Sequence, residues 1–181
     1  MSKKREVGED FSQQFFSLGF YTRIDYGRSH DLGRVAWADG KHNGVILPRI
    51  PRQTEGVQVM NICFARLHQE TASLGQSLHL AMNHGLKPAL FEEMACFFEQ
   101  VTTDEVDKLF KYADSICVGR RIACPVKAAI PCLGSMVVGD DGGLIPVYVV
   151  DRIAKRRTSL HLKQVDFDRA VPPAQLIPFV R

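Results

Sequence analysis

Residues 60–82 read MNICFARLHQETASLGQSLHLAM, and their spacing decides how the rest of the chain is read. Met60, Phe64, Leu67, Thr71, Leu74, Leu78 and Ala81 follow one another at steps of 4, 3, 4, 3, 4 and 3. Side chains so spaced share one face of a helix, and here they form a heptad seam widened by Cys63 and Met82. The spacing predicts a helix that packs on the chain's own core or pairs with a second copy. In the second case Met60, Phe64, Leu67, Leu74 and Leu78 are the dimer or partner interface. Asn83-His84-Gly85 then ends the helix, because glycine readily takes the left-handed backbone of a C-terminal cap.

Two further helices are expected downstream. One starts near Pro88, whose fixed φ suits a first helical turn, and runs to Gln100. The other is capped by Thr102 or Thr103. Glu105 lies three residues after Thr102, which is capping-box spacing. Asp104, Glu105 and Asp107 oppose the positive end of that helix. Val106, Leu109, Phe110 and Ala113 form its apolar face.

The flanks read differently. In residues 7–20, Phe11, Phe15, Phe16 and Leu18 fit one short amphipathic helix stopped by Gly19. GRVAWADG (33–40) and NGVILPRIP (43–51) are short strand-like runs around Asp-Gly and Asn-Gly turn signals, so a β-hairpin is expected. Pro48 and Pro51 make its exit loop. RIACPVKAAIP (121–131) is extended or irregular. In residues 135–153 a second hairpin is expected, with Asp140-Asp141-Gly142-Gly143 as its turn and 136–138 and 146–150 as its arms. SLHLKQV (159–165) alternates as a strand does, and VPPAQLIPFVR (171–181) reads as an extended tail lying on the body. The fold class is therefore α+β, with three central helices between hairpin-containing flanks. The zones are 1–56, 57–117 and 118–181, within one compact domain.

Composition narrows the function. The chain has 181 residues, 45% hydrophobic and 24% charged, which suits one globular domain with a real core. No apolar run is long enough to span a membrane. The N-terminal sequence MSKKREVGED is basic, then acidic, with no apolar core, so a cytoplasmic protein is expected. The net charge is only +3, but it is unevenly spread. Residues 85–114 carry three lysines against seven acids, and residues 151–181 carry seven lysines or arginines against three acids. That asymmetry either steers a polyanion to one face or is solvated surface.

Catalytic and metal motifs are sparse. The five cysteines, at 63, 96, 117, 124 and 132, include no CxxC pair, so reduced thiols are expected and no metal site or cofactor. The chain has no HExxH, no phosphate-binding loop and no GxGxxG. Arg28-Ser29-His30-Asp31 holds the residue types of a hydrolase triad, but a triad is assembled from distant positions. An enzyme with Cys117 or Cys132 as nucleophile ranks last, and no catalytic residue is assigned. The densest cationic run is Arg152, Lys155, Arg156 and Arg157. It either tracks a phosphate backbone or forms a solvated turn. Arg120 and Arg121 close the third helix, where a dipole role competes with a DNA role.

Residues 92–120, EEMACFFEQVTTDEVDKLFKYADSICVGR, resemble the central stretch of FlhD, the D subunit of the flagellar transcription activator FlhDC. The matching positions are Glu92, Glu93, Met94, Ala95, Val101, Thr102, Lys108, Leu109, Cys117 and Arg120. FlhD is shorter and all-helical, so the flanking zones have no counterpart in it. The resemblance implies a transcription-activating subunit that dimerises and binds DNA with a second, C-type protein. It implies a DNA contact at Lys87 and an optional intersubunit disulfide at Cys117. Relatives of both types also occur on conjugative mobile elements, which suits a divergent chain such as this one. The other reading open to the sequence is a non-catalytic adaptor or assembly subunit that docks through its helical middle.

Overall fold

The computed structural model describes residues 15–27, 36–37, 55–67, 73–120, 126–139, 142–169 and 175–181. The order is β1 (Phe15–Asp25), β2 (Ala36–Trp37), β3 (Val57–Leu67), α1 (Leu74–Asn83), β4 (Lys87–Pro88), α2 (Phe91–Gln100), α3 (Thr103–Arg120), β5 (Lys127–Pro131), β6 (Val137–Gly139), β7 (Gly142–Asp151), β8 (Arg156–Val165) and β9 (Ile177–Val180). Three helices lie between strands on both sides in sequence, so the class is α+β as expected.

The strands form two sheets. The first has the order β1-β3-β9-β4 and is antiparallel throughout. The second runs β2-β8-β7-β5, with β6 also on β7, and only the short β2–β8 pair is parallel.

The decisive stretch folds otherwise than its spacing predicts. Met60, Phe64 and Leu67 lie on strand β3, and only Leu74, Leu78 and Ala81 are helical. The cause is burial on both faces of β3 from Ile62 to Ala65. Ile62 and Phe64 face the core under α2, while Ala65 faces a second core beneath α1. A strand covered on both sides reads as a continuous apolar run, and a continuous run contains helical spacings by accident. The seam is therefore not one helix. Phe64 is fully buried, Met60 packs against the first core, and Leu74 and Leu78 pack against the second.

β1 is a second correction. Residues 15–25 form a strand, not a helix, and residues 7–14 lie outside the described residues. Phe20, Thr22 and Ile24 are buried while Gly19, Tyr21 and Arg23 are exposed, a period of two. Of the first expected hairpin, only Ala36–Trp37 is described, and it pairs with β8. The second hairpin is present, but its arms are β6 and the start of β7, so Gly142 and Gly143 are strand residues.

The tail is more deeply built in than expected. β9 lies between β3 and β4, with all four residues buried. Pro178 is tolerated there because its carbonyl faces the short strand β4, accepting the Ala89 N–H at 3.0 Å. Its missing N–H falls on the same side, away from the β3 ladder.

α2 is the buried helix. Phe91, Glu93, Met94, Ala95, Cys96 and Phe97 are all inside. It starts at Phe91, because Pro88 belongs to β4. Leu90 offers no capping side chain, so the caps come from elsewhere. Glu93 accepts the Leu90 N–H at 2.7 Å and the Tyr26 hydroxyl at 2.8 Å, and Ser135 Oγ accepts the Phe91 N–H at 2.7 Å. The rings of Phe20, Phe64 and Phe97 meet at centroid distances of 5.9, 5.4 and 5.3 Å. Such pairs contribute about 0.5–1.5 kcal/mol each beyond area burial. α3 carries the expected capping box at Thr102 and Glu105, and buries Val106, Leu109, Phe110 and Ala113.

Candidate functional site

The basic turn between β7 and β8 packs against the acidic helix α3. Arg152 makes a two-pronged pair with Asp114, one arm of it at 2.9 Å. The Arg152 guanidinium also lies 5.8 Å from the Phe110 ring centroid. Lys155 Nζ donates to Asp107 at 2.7 Å. Asp107 and Asp114 are seven residues apart, two turns of one helix face. The turn is shaped from within by Asp151, whose carboxylate accepts the N–H groups of Ile153 and Ala154 at 2.8 and 2.9 Å. The Ala154 bond, more than the Ile153 bond, holds that carboxyl below its ordinary range. Lys155 then takes a left-handed backbone, φ 50°, to complete the turn.

The charge asymmetry of the sequence thus closes partly on itself. Arg157 lies over the Tyr148 ring, 5.3 Å from its centroid. Arg156 is exposed on β8, and no ion pair engages it among the described residues. Arg120 is the last residue of α3, six residues and about 9 Å along the axis from Asp114. Arg121 lies outside the described residues. Lys87 is exposed on β4, the last strand of the first sheet, whereas β7 and β8 belong to the second.

Cys132 and Cys63 have the wrong environment for a nucleophile. Cys132 is fully buried, and burial, reinforced by Glu93 and Glu92, pushes its thiol well above the ordinary value. Burial also raises Cys63, against an opposing pull from Arg181. A nucleophilic cysteine needs the opposite shift. Cys117 lies in the last turn of α3. Among the described residues no cluster of His, Cys, Asp or Glu is arranged to hold a metal ion. No helix there is long and apolar enough to cross a membrane.

The surface that sequence reading missed is on β1 and β3. On the side away from α2, Tyr21 is 84% exposed and Val59 67% exposed, with Val57 beside them. Cross-strand register puts Arg23 opposite Val59, Asp25 opposite Val57 and Tyr21 opposite Asn61. Gly19 keeps this surface low. The Asn61 carboxamide lies over it, and an added Cβ would stand 2.6 Å from Asn61 Oδ1.

Among the described strands, β1 is also the outer one of its sheet. In an antiparallel ladder the N–H and C=O of one residue point to the same side, and sides alternate along the strand. Gln100 takes both backbone groups of Arg23 on the outer side. Tyr21 and Gly19 point the same way, and among the described residues nothing takes their edge groups. The two apolar faces of the helical middle, by contrast, are consumed inside the fold. The signal available in sequence was the alternation of residues 18–25, which the phenylalanines before it obscured. No family model, curated protein or solved structure matches this chain.

Proposed function

We propose that the protein is a non-catalytic docking subunit that binds an extended segment of a partner protein along β1. The open edge at Gly19 and Tyr21 carries this reading. Unpaired backbone groups at a strand edge are matched best by another strand, and neighbouring side chains then set the choice of partner. Tyr21 and Val59 supply apolar contact, and Arg23 favours an acidic residue nearby. The docking surface is thus the first sheet and not the helical middle. The reading places the protein in the cytoplasm, where Cys63, Cys96 and Cys132 stay reduced.

The test is capture of partners by the wild-type protein and by a Tyr21→Lys, Val59→Lys variant. Both positions are exposed, so the variant should keep its circular dichroism and unfolding midpoint. A protein retained by the wild type and lost by the variant supports docking at β1. Equal retention by both removes the β1 surface from the account.

A second reading keeps the chain as a FlhD-like DNA-binding regulator, acting as a dimer or with a C-type subunit. One observation favours it: residues 92–120 are two helices, α2 and α3, that meet at Val101 and Thr102. Exposed Arg156 and the Arg120 end of α3 would supply the phosphate contacts. DNA retention at two salt concentrations, alone and with a co-expressed neighbouring protein, tests it. Salt-sensitive retention that weakens in an Arg156→Ala, Arg157→Ala variant supports it, and no retention in either setting rejects it.

A further inference from the structure

The second sheet has a recess of about 260 Å³ at the border of the second core. Its floor is Ala129, Pro131, Ile145 and Val147, with Leu74 of α1 as one wall. These sheet residues share a face by register, since Pro131 pairs with Val147 and Ile145 with Lys163. Ile145, Val147 and Pro131 are buried beneath the recess, and Ala129 is the half-buried member of its floor.

The other wall is a turn held in place by its own backbone. The Arg169 and Phe167 carbonyls accept the Leu74 and Gly75 N–H groups at 3.0 and 2.9 Å. Asp166 accepts the Asp168 N–H at 3.0 Å, and its carbonyl accepts the Arg169 N–H at 3.3 Å. The turn is therefore tied to the helix before any ligand arrives, which lowers the ordering cost of binding.

The rim carries Lys163 and Arg169 against the single carboxylate of Asp166, with the Gln175 amide beside them. Neither Lys163 nor Arg169 has an ion-pair partner among the described residues. An apolar floor with a few convergent polar groups is the usual make-up of a small-molecule site. The volume is below the roughly 300 Å³ at which drug-sized pockets begin, so the occupant is small.

We propose that this recess binds a small organic acid, its short apolar body on Ala129, Ile145 and Val147 and its carboxylate between Lys163 and Arg169. A guanidinium fork matches a planar carboxylate, and the ammonium adds a second charge-assisted bond. This site is separate from the β1 surface, so either proposal can fail without the other.

Isothermal titration of the full chain with sodium octanoate tests it, with 1-octanol and inorganic phosphate as controls. The expected result is saturable octanoate binding, about tenfold or more tighter than either control. Lys163→Gln and Arg169→Gln should each weaken it about tenfold at an unchanged unfolding midpoint. Ala129→Leu, which fills the floor, should abolish it, and Lys127→Gln should leave it unchanged. Absence of octanoate binding at millimolar concentration overturns the proposal. So does equal binding of octanol, equal binding of phosphate, or indifference to all three rim and floor variants.

Discussion

Gln100, the last residue of α2, holds both backbone groups of Arg23 on β1: its Oε1 accepts the Arg23 N–H at 3.1 Å and its Nε2 donates to the Arg23 carbonyl at 2.7 Å. The carboxamide thus occupies the place of a neighbouring strand for one residue. It also ties the outer strand to the buried helix, since Nε2 donates to the Cys96 carbonyl at 3.0 Å. Exposed edges invite pairing with other chains, and capping one step of the ladder shortens the available template.

Gln100→Ala should therefore do two things. It should lower stability by about 1 kcal/mol, the net worth of an ordinary hydrogen bond or two near the surface. It should also extend the open edge from Gly19 and Tyr21 to Arg23. Urea unfolding gives the first effect, and light scattering against concentration gives the second, with the variant self-associating more strongly. A stability loss with no change in association would show that the carboxamide only anchors α2.

The pair of Arg152 with Asp114 allows a sharper measurement, because the same cation serves two readings. Both side chains are partly exposed, at 39% and 25%, so solvent screens the pair and the coupling energy should be about 1 kcal/mol or less. A double-mutant cycle with Arg152→Ala and Asp114→Ala measures it. Asp107→Asn with Asp114→Asn removes the carboxylates facing both cations of the turn. If the turn meets a polyanion, DNA retention at low salt should rise in that variant. If retention stays flat, the turn's cations serve to seat the β7–β8 hairpin on α3.

The helices α2 and α3 were legible in sequence because their signals are local. Thr102 and Glu105 form the expected capping box, and Gly85 takes φ +77° after α1 as its position predicts. β3 was not legible, because packing on both faces between Ile62 and Ala65 erased its alternation there, and Met60, Phe64 and Leu67 then matched a helical seam. β9 was underrated for a related reason. Its proline argues against an inner strand, yet Pro178 points its missing donor at the short strand β4. The basic run at 152–157 was visible as charge, but its partners Asp107 and Asp114 lie 48 and 38 residues away, and only the fold brings them together. The open edge of β1 has no sequence signature at all, since it depends on which strand ends up outermost.

The capping box at α3 sets a pH dependence. Glu105 accepts the Thr102 N–H at 2.8 Å and its hydroxyl at 2.9 Å. These bonds, the backbone one foremost, hold the Glu105 carboxyl below its ordinary value of 4.5. A group with a lowered folded-state pKa stabilises the fold above its unfolded value, and that contribution is lost as pH falls through the folded value. Wild type should therefore exceed Glu105→Gln in stability at neutral pH. The gap should begin to close below about pH 4.5 and vanish under more acid conditions. Unfolding midpoints of the two proteins between neutral and acid pH measure this, and a gap independent of pH would assign the effect to shape alone.

Among the described glycines, Gly134 is the position where a single methyl group should cost most. It lies in the turn after β5, and its N–H donates to the Ala89 carbonyl at 3.0 Å. A Cβ there would stand 2.5 Å from the Pro88 oxygen and 2.9 Å from the Ala89 oxygen. Both are backbone atoms, so no side-chain rotation relieves the clash. Relief requires the turn to move away from β4 and the start of α2, which disturbs the bond from Phe91 to Ser135 at the helix N-terminus. Gly134→Ala should then destabilise the protein by about 1–3 kcal/mol, the range for overpacking a dense site. At exposed Gly56, with φ +76° and open space around it, the same change strains only the local backbone. Comparing the two variants by thermal unfolding separates the cost of close approach from that of left-handed conformation, and Gly134→Ala should show the larger drop.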